Sequence, residues 1–191
     1  MVGEDIQAGR SAAGAAGKEE IMQYRSEYHS PMGRIILGSD EDGLFGLWFQ
    51  DQKYFCSHLD PDCREKETDA IRSAKRWLDL YFSGSEPDFT LPLHLIGTEF
   101  QYIIWKKLLR IPYGSTTTYG KIARELSGER GGKPVPPRAV GGAVGRNPIS
   151  IIIPCHRVLG SRGQLTGYAG GLDKKRGLLE LERGRGRICR N

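Results

Sequence analysis

A chain of 191 residues with 38% hydrophobic content is long enough for one sizeable domain or two small ones, and it excludes wholesale disorder. No apolar run reaches the roughly 20 residues of a membrane-spanning helix, and four cysteines (Cys56, Cys63, Cys155, Cys189) in so long a chain suit a reducing, intracellular compartment rather than a disulfide scaffold. The net charge of +5 hides a division: residues 1–100 carry 10 Lys and Arg against 18 Asp and Glu, while residues 101–191 carry 18 against 5. A basic half suits a polyanion, but charge alone does not choose between DNA, RNA and an acidic membrane, and it serves solubility equally well.

Residues 1–20 are charged and rich in Gly and Ala, with no apolar segment, so they read as a disordered tail and not as a signal peptide. Next, Asp42-Gly43 is a tight-turn dipeptide between two apolar runs, predicting that Arg34–Gly38 and Leu44–Phe49 pair as a hairpin. From Thr68 to Phe82, Ile71, Ala74, Trp77, Leu78, Tyr81 and Phe82 recur at helical spacing. "SGSEPDFTLPL" reads as a linker, and the charge changes sign beyond it, so the domain boundary falls near residues 84–97.

The basic half opens with Thr98 and Gln101 in capping-box spacing, ahead of an apolar stripe of Phe100, Ile104, Leu108 and Ile111 that ends at Pro112-Tyr113-Gly114. Trp105 reads as a core aromatic of this helix. Thr118 is placed to cap a second helix, Tyr119 to Leu126. A Gly-rich charged loop, "SGERGGKPVPP", leads to Pro136 and Pro137 at the first turn of a third helix, "RAVGGAVG". Helix, turn and helix in a basic region resemble a helix-turn-helix DNA reader. The third helix is odd for that role, because Gly141, Gly142, Ala143 and Gly145 offer base edges nothing to bond. They allow either tight helix packing or close approach of a partner.

Ile149–Ile153 suits a strand buried on both faces that Pro154 terminates, delivering Cys155 where the strand stops. A lone cysteine in apolar surroundings is ordinarily inert, and activation needs a base or cation. His156 is adjacent, but neighbours on an extended chain point apart, so contact requires a sharp turn after Pro154 or a bridging water. Cys56, His58 and Cys63, with His94, are numerous enough to raise a zinc site, yet their spacing fits no standard template and no metal is assigned.

The segments "EFQYIIWKKLLRIPYG", "TTTYGKIA", "RAVGGA", "GRNPISIIIPCHRV" and "TGYAGG" together resemble the methylated-DNA–protein-cysteine methyltransferases, also called O6-alkylguanine-DNA alkyltransferases, continuously from Thr98 to Glu182 and more loosely before that. The resemblance implies an α+β fold: a small, strand-containing, ribonuclease-H-like domain over 21–90 with a linker to about 97, a helical helix-turn-helix domain over 98–182 holding the active-site cysteine, and a basic tail over 183–191. It implies a single, irreversible transfer of an alkyl group from O6-alkylguanine, with O4-alkylthymine a second candidate, to Cys155 after base flipping. His156 would be the base, acting through water, with Glu182 orienting it and Asn147 a hinge between reader helix and active-site segment.

Tyr119 would donate to the guanine ring, and Arg138 would fill the stack. Thr118, Ala139, Gly141 and Gly142 would meet DNA, and Val144, Val158, Tyr168, Ala169 and Gly170 would line the pocket. Ala169 stands where some relatives have serine, and the 127–137 loop is longer than in shorter relatives. The implied partner is double-stranded DNA bound by a monomer with no cofactor, in the cytoplasm or nucleus and away from membranes. A damage-binding protein without transfer activity would lack the cysteine, and a Cys/His hydrolase would leave the basic half unexplained.

Overall fold

The computed structural model describes residues 6–8 and 21–184. The hairpin forms as expected: β3 (Gly33–Ser39) pairs antiparallel with β4 (Leu44–Phe49), with Asp40 Oδ1 accepting from the Asp42 and Gly43 amides in the turn. Gly43 has φ 141°, and a Cβ there would lie 2.5 Å from Pro92 O, so only glycine closes this turn. Four further strands extend the hairpin into one six-stranded sheet. β2 (Tyr24–Ser30) flanks β3, β5 (Arg64–Glu65) flanks β2, and β6 (Leu93–Leu95) joins β4, with β1 (Ile6–Ala8) parallel to β6 at the edge.

Two sequence expectations change here. Ile6–Ala8 is a strand within what reads as a tail, the rest of 1–20 lying outside the described residues. The interval that reads as a linker holds β6, whose three buried residues complete the sheet. Of the basic tail, residues 185–191 lie outside the described residues.

α1 (Asp69–Phe82) covers one face of the sheet. Thr68 caps it, accepting from Ile71 N, and Ile71, Ala74, Leu78 and Tyr81 form its buried face. On the other face, Gly38 and Gly46 sit opposite one another across β3 and β4 and leave a trough for the Trp48 indole. A Cβ on Gly46 would lie 1.7 Å from that ring.

The second half is helical. α2 (Glu99–Leu109) starts with the complete capping box of Thr98 and Gln101 and ends before Ile111. α3 (Tyr119–Glu129), capped by Thr118, runs three residues into the expected loop, and α4 (Pro137–Gly145) follows. Trp105 is core, as expected, and its Nε1 donates to Ala143 O of α4 at 3.0 Å. α5 (Leu172–Glu182) closes the domain. β7 (Thr117–Thr118) and β8 (Val158–Leu159) form a short parallel pair.

One continuous core joins both halves. Leu47 of β4 accepts from Ser150 N and donates to Pro148 O, both at 2.9 Å, so β4, beyond its pairing with β6 at Leu44, grips the segment that leads to Cys155. Among the described residues no helix is long and apolar enough to cross a membrane.

Candidate active site

Ile149–Ile153 is not the expected strand. Among the described residues its one ladder contact is the isolated bridge from Ile149 to Leu47, and other backbone donors of the segment turn inward. Ile149 N donates to Asn147 Oδ1, Ile152 N to Ser150 O and Ile153 N to Ile149 O. Ile151 sits at φ 70°, costly for a β-branched residue and tolerated here because it is fully buried. Pro154 (φ −81°, ψ 60°) then forms an inverse γ-turn, with Cys155 N donating to Ile153 O at 2.7 Å. A one-turn 3-10 helix, Cys155–Arg157, follows directly. A sharp turn therefore follows Pro154, while among the described residues the Cys155 side chain bonds to Asn147 and that of His156 to Glu182.

Cys155 is 3% exposed. Burial pushes its thiol pKa up, opposed by the Asn147 amide, the Lys175 charge and the backbone N–H groups of Cys155 and His156. Asn147 Nδ2 donates both to Cys155 Sγ at 3.1 Å and to Ile153 O at 2.8 Å. The sulfur therefore sits in a nest of donors, which favours the thiolate once a base removes the proton.

His156 and Glu182 are buried together, with Nε2 2.6 Å from Glu182 Oε1. A carboxylate only accepts, so Nε2 carries the proton and Nδ1 keeps the lone pair. Nδ1 is buried without a hydrogen-bond partner among the described residues. Burial lowers the His156 pKa, against the pull of Glu182, which favours the neutral, proton-accepting form. Burial also pushes the Glu182 carboxyl up, but His156 and Arg157 outweigh it and bring it down to about 2.

Several participants are not identifiable from the motifs. Arg157 grips Glu182 through Nε at 2.9 Å and Nη2 at 3.0 Å, and Gly114 N donates to Oε2 at 3.1 Å. Lys175, wholly buried, ties the Val158, Thr166 and Gly167 carbonyls together; burial lowers its pKa to about 8. Gln52, from the segment after β4, accepts from Ser150 Oγ at 3.0 Å. The available signals were an arginine beside His156 and a lysine in the apolar phase of "LDKKRGLLELE".

Beside this centre lies an open groove lined by Tyr119, Gly120, Pro137, Arg138, Gly141, Gly142 and Ser161. The Tyr119 hydroxyl points at Thr166 O, 3.3 Å away, and Arg138 is exposed. Thr118 caps α3 by accepting from Lys121 N. A Cβ on Gly142 or Gly145 would meet nothing within 4 Å, and one on Gly141 only an ordinary contact with the Tyr119 ring. Internal packing does not demand these glycines.

Ala139 is exposed on the same helix but does not line the groove. Val144 and Val158 are buried in the core cluster that contains Cys155. Tyr168 meets the His156 ring edge-on at 6.5 Å, Gly170 abuts the Tyr168 ring, and Ala169 O accepts from Lys53 N. Cys56, His58 and Cys63 do not converge on a metal position. Among the described residues the one group of three possible ligands is Asp40, Asp42 and His94, where His94 Nδ1 is 2.7 Å from Asp40 Oδ2.

The 6-O-methylguanine DNA methyltransferase family models match this chain twice, the ribonuclease-like domain over residues 23–95 and the DNA binding domain over 99–184. A methylated-DNA–protein-cysteine methyltransferase of Methanosarcina acetivorans is 46% identical over 159 residues, covering 83% of this chain and 97% of the relative. The chain belongs to this methyltransferase family. A member from Mycobacterium leprae is 47% identical, covering 81% of this chain and 88% of its own. Among solved structures, Mycobacterium tuberculosis OGT in complex with DNA superposes with TM-score 0.72 at 41% identity, covering 85% of this chain and 94% of that one. An O6-methylguanine DNA methyltransferase from Methanococcus jannaschii gives 0.55 at 31% identity, covering 79% and 89%. The α+β architecture of this methyltransferase, strands first and helices after, is that of these relatives.

Proposed function

We propose that this methyltransferase repairs duplex DNA as a monomer, moving the alkyl group of O6-alkylguanine irreversibly to Cys155. The observation that carries the reading is the buried sulfur in its nest of donors beside the His156–Glu182 pair. His156 Nδ1 takes the thiol proton through a water, and Glu182 stabilises the resulting imidazolium. Sγ attacks the alkyl carbon in line; the S–C bond forms as the C–O6 bond breaks, and its electron pair leaves with the purine. Tyr119 donates to the ring nitrogen that shares this charge, while Tyr168, Val144, Val158, Ala169 and Gly170 form the apolar side of the base pocket. Flipping the base costs a few kcal/mol. Arg138, at the exposed start of α4, fills the gap, while the bare surface at Gly141 and Gly142 lets that helix lie close to the duplex.

A thioether has no easy route back, so each molecule acts once. Exposure to excess alkylated duplex gives one alkyl adduct, at Cys155, by mass spectrometry. Multiple turnovers, or full transfer by Cys155→Ala, contradict the mechanism.

A further inference from the structure

The carboxylate that holds His156 is itself held from the other half of the chain. Tyr81, in the last turn of α1, is fully buried and donates its hydroxyl to Glu182 Oε1 at 2.8 Å. The same oxygen accepts a hydrogen bond from His156 Nε2–H, and Tyr81 Oη stands 3.4 Å from that nitrogen. The phenol ring is locked, stacked on Trp77 at 5.3 Å and met edge-on by Phe82, Tyr113 and His156. We propose that Tyr81 is a positioning residue for alkyl transfer: its hydroxyl shares Glu182 Oε1 with His156 and so restrains how strongly the carboxylate holds a proton on the imidazole.

The reasoning is one of shared lone pairs. Oε1 serves Tyr81, Arg157 and His156 at once, and each donor weakens the acceptor for the others. Burial, then Glu182, pushes the phenol well above its usual range, so Tyr81 stays a donor throughout the working pH. The charged and titratable groups facing this pair are Arg157 of the 3-10 turn, Lys175 of α5, Tyr113 after α2, Tyr168 of the pocket loop and Tyr81 itself. Tyr81 is the member that the amino-terminal half contributes, which gives that half a part in tuning the chemistry. The inference rests on the reading of His156 as the base.

The test is Tyr81→Phe in the full chain, read by NMR titration of the His156 imidazole and by single-turnover transfer from an O6-methylguanine duplex across pH. Without the hydroxyl, Glu182 holds the imidazolium more firmly. The His156 midpoint moves up and the acid limb of the rate profile follows it. Transfer slows roughly three- to tenfold on the acid limb and stays within about twofold on the alkaline side of it. Phe82→Leu, which loosens packing on the same ring but touches no polar atom of the pair, lowers the melting temperature and moves neither profile.

A Tyr81→Phe protein that melts lower but titrates like wild type, or whose midpoint moves down, overturns the proposal. If that variant does not fold, 3,5-difluorotyrosine at position 81, a stronger donor of similar shape, moves both profiles down, and no movement overturns it. Wild-type protein that acquires no adduct at Cys155 refutes the transfer reading, whereas the His156 titration still tests Tyr81 separately.

Discussion

Removing the Asn147 carboxamide tests the turn that carries the sulfur. In Asn147→Ala, the Ile149 amide loses an acceptor at 2.9 Å and the Ile153 carbonyl a donor at 2.8 Å, and both residues are 0% exposed. A buried polar group left unpaired costs about 1–3 kcal/mol, so two such groups cost about 4 kcal/mol, a large share of the roughly 5–15 kcal/mol that holds a domain together. Urea denaturation of the unalkylated protein measures this directly. A second effect is chemical. Cys155 loses the largest of the several groups that oppose burial, so its thiol titrates still higher and reacts more slowly with iodoacetamide at neutral pH. A loss below about 1 kcal/mol with an unchanged thiol titration would refute the reasoning, leaving the isoleucine packing alone as what holds the turn.

Gly142→Ala separates stability from binding: the new methyl meets nothing within 4 Å, so the helix gains about 1 kcal/mol while affinity for duplex DNA falls. Equal or tighter DNA binding would rule out close approach by α4. For Glu182, a folded pKa of about 2 below the ordinary 4.5 means its stabilisation is present above pH 4.5 and is lost as pH falls through 2. The stability gap between wild type and Glu182→Gln therefore shrinks over that window, by about 3 kcal/mol in all; a gap independent of pH counts against the buried pair. Gly46→Ala drives a methyl into the Trp48 ring and costs about 3 kcal/mol, checked by thermal melting.

Local chemistry made several elements legible in the sequence. The Asp42-Gly43 turn, the Thr98 and Thr118 caps and the α1 stripe all depend on neighbours a few residues away, and all form. Ile149–Ile153 shows where that reasoning stops. An unbroken apolar run reports burial, and a buried turn buries isoleucine as well as a strand does; the side chain that satisfies its backbone, Asn147, lies outside the run. β2 stayed hidden because "YRSEYHS" is polar, its pairing supplied by β3 and β5. The motifs carried Cys155, His156, Glu182 and Asn147 to one place, but Tyr81 meets Glu182 across 101 residues and a change of domain. No periodicity encodes such a meeting.

The bond from Trp105 to the Ala143 carbonyl has an optical consequence. The chain has three tryptophans: Trp48 lies sealed under the sheet, Trp77 stacks on Tyr81, and Trp105 alone is hydrogen-bonded to α4, the helix beside the groove. Indole emission responds to the loss or stretching of the hydrogen bond that its N–H donates. With the other two replaced, Trp105 becomes an intrinsic, label-free gauge of whether α4 shifts when a duplex settles against it.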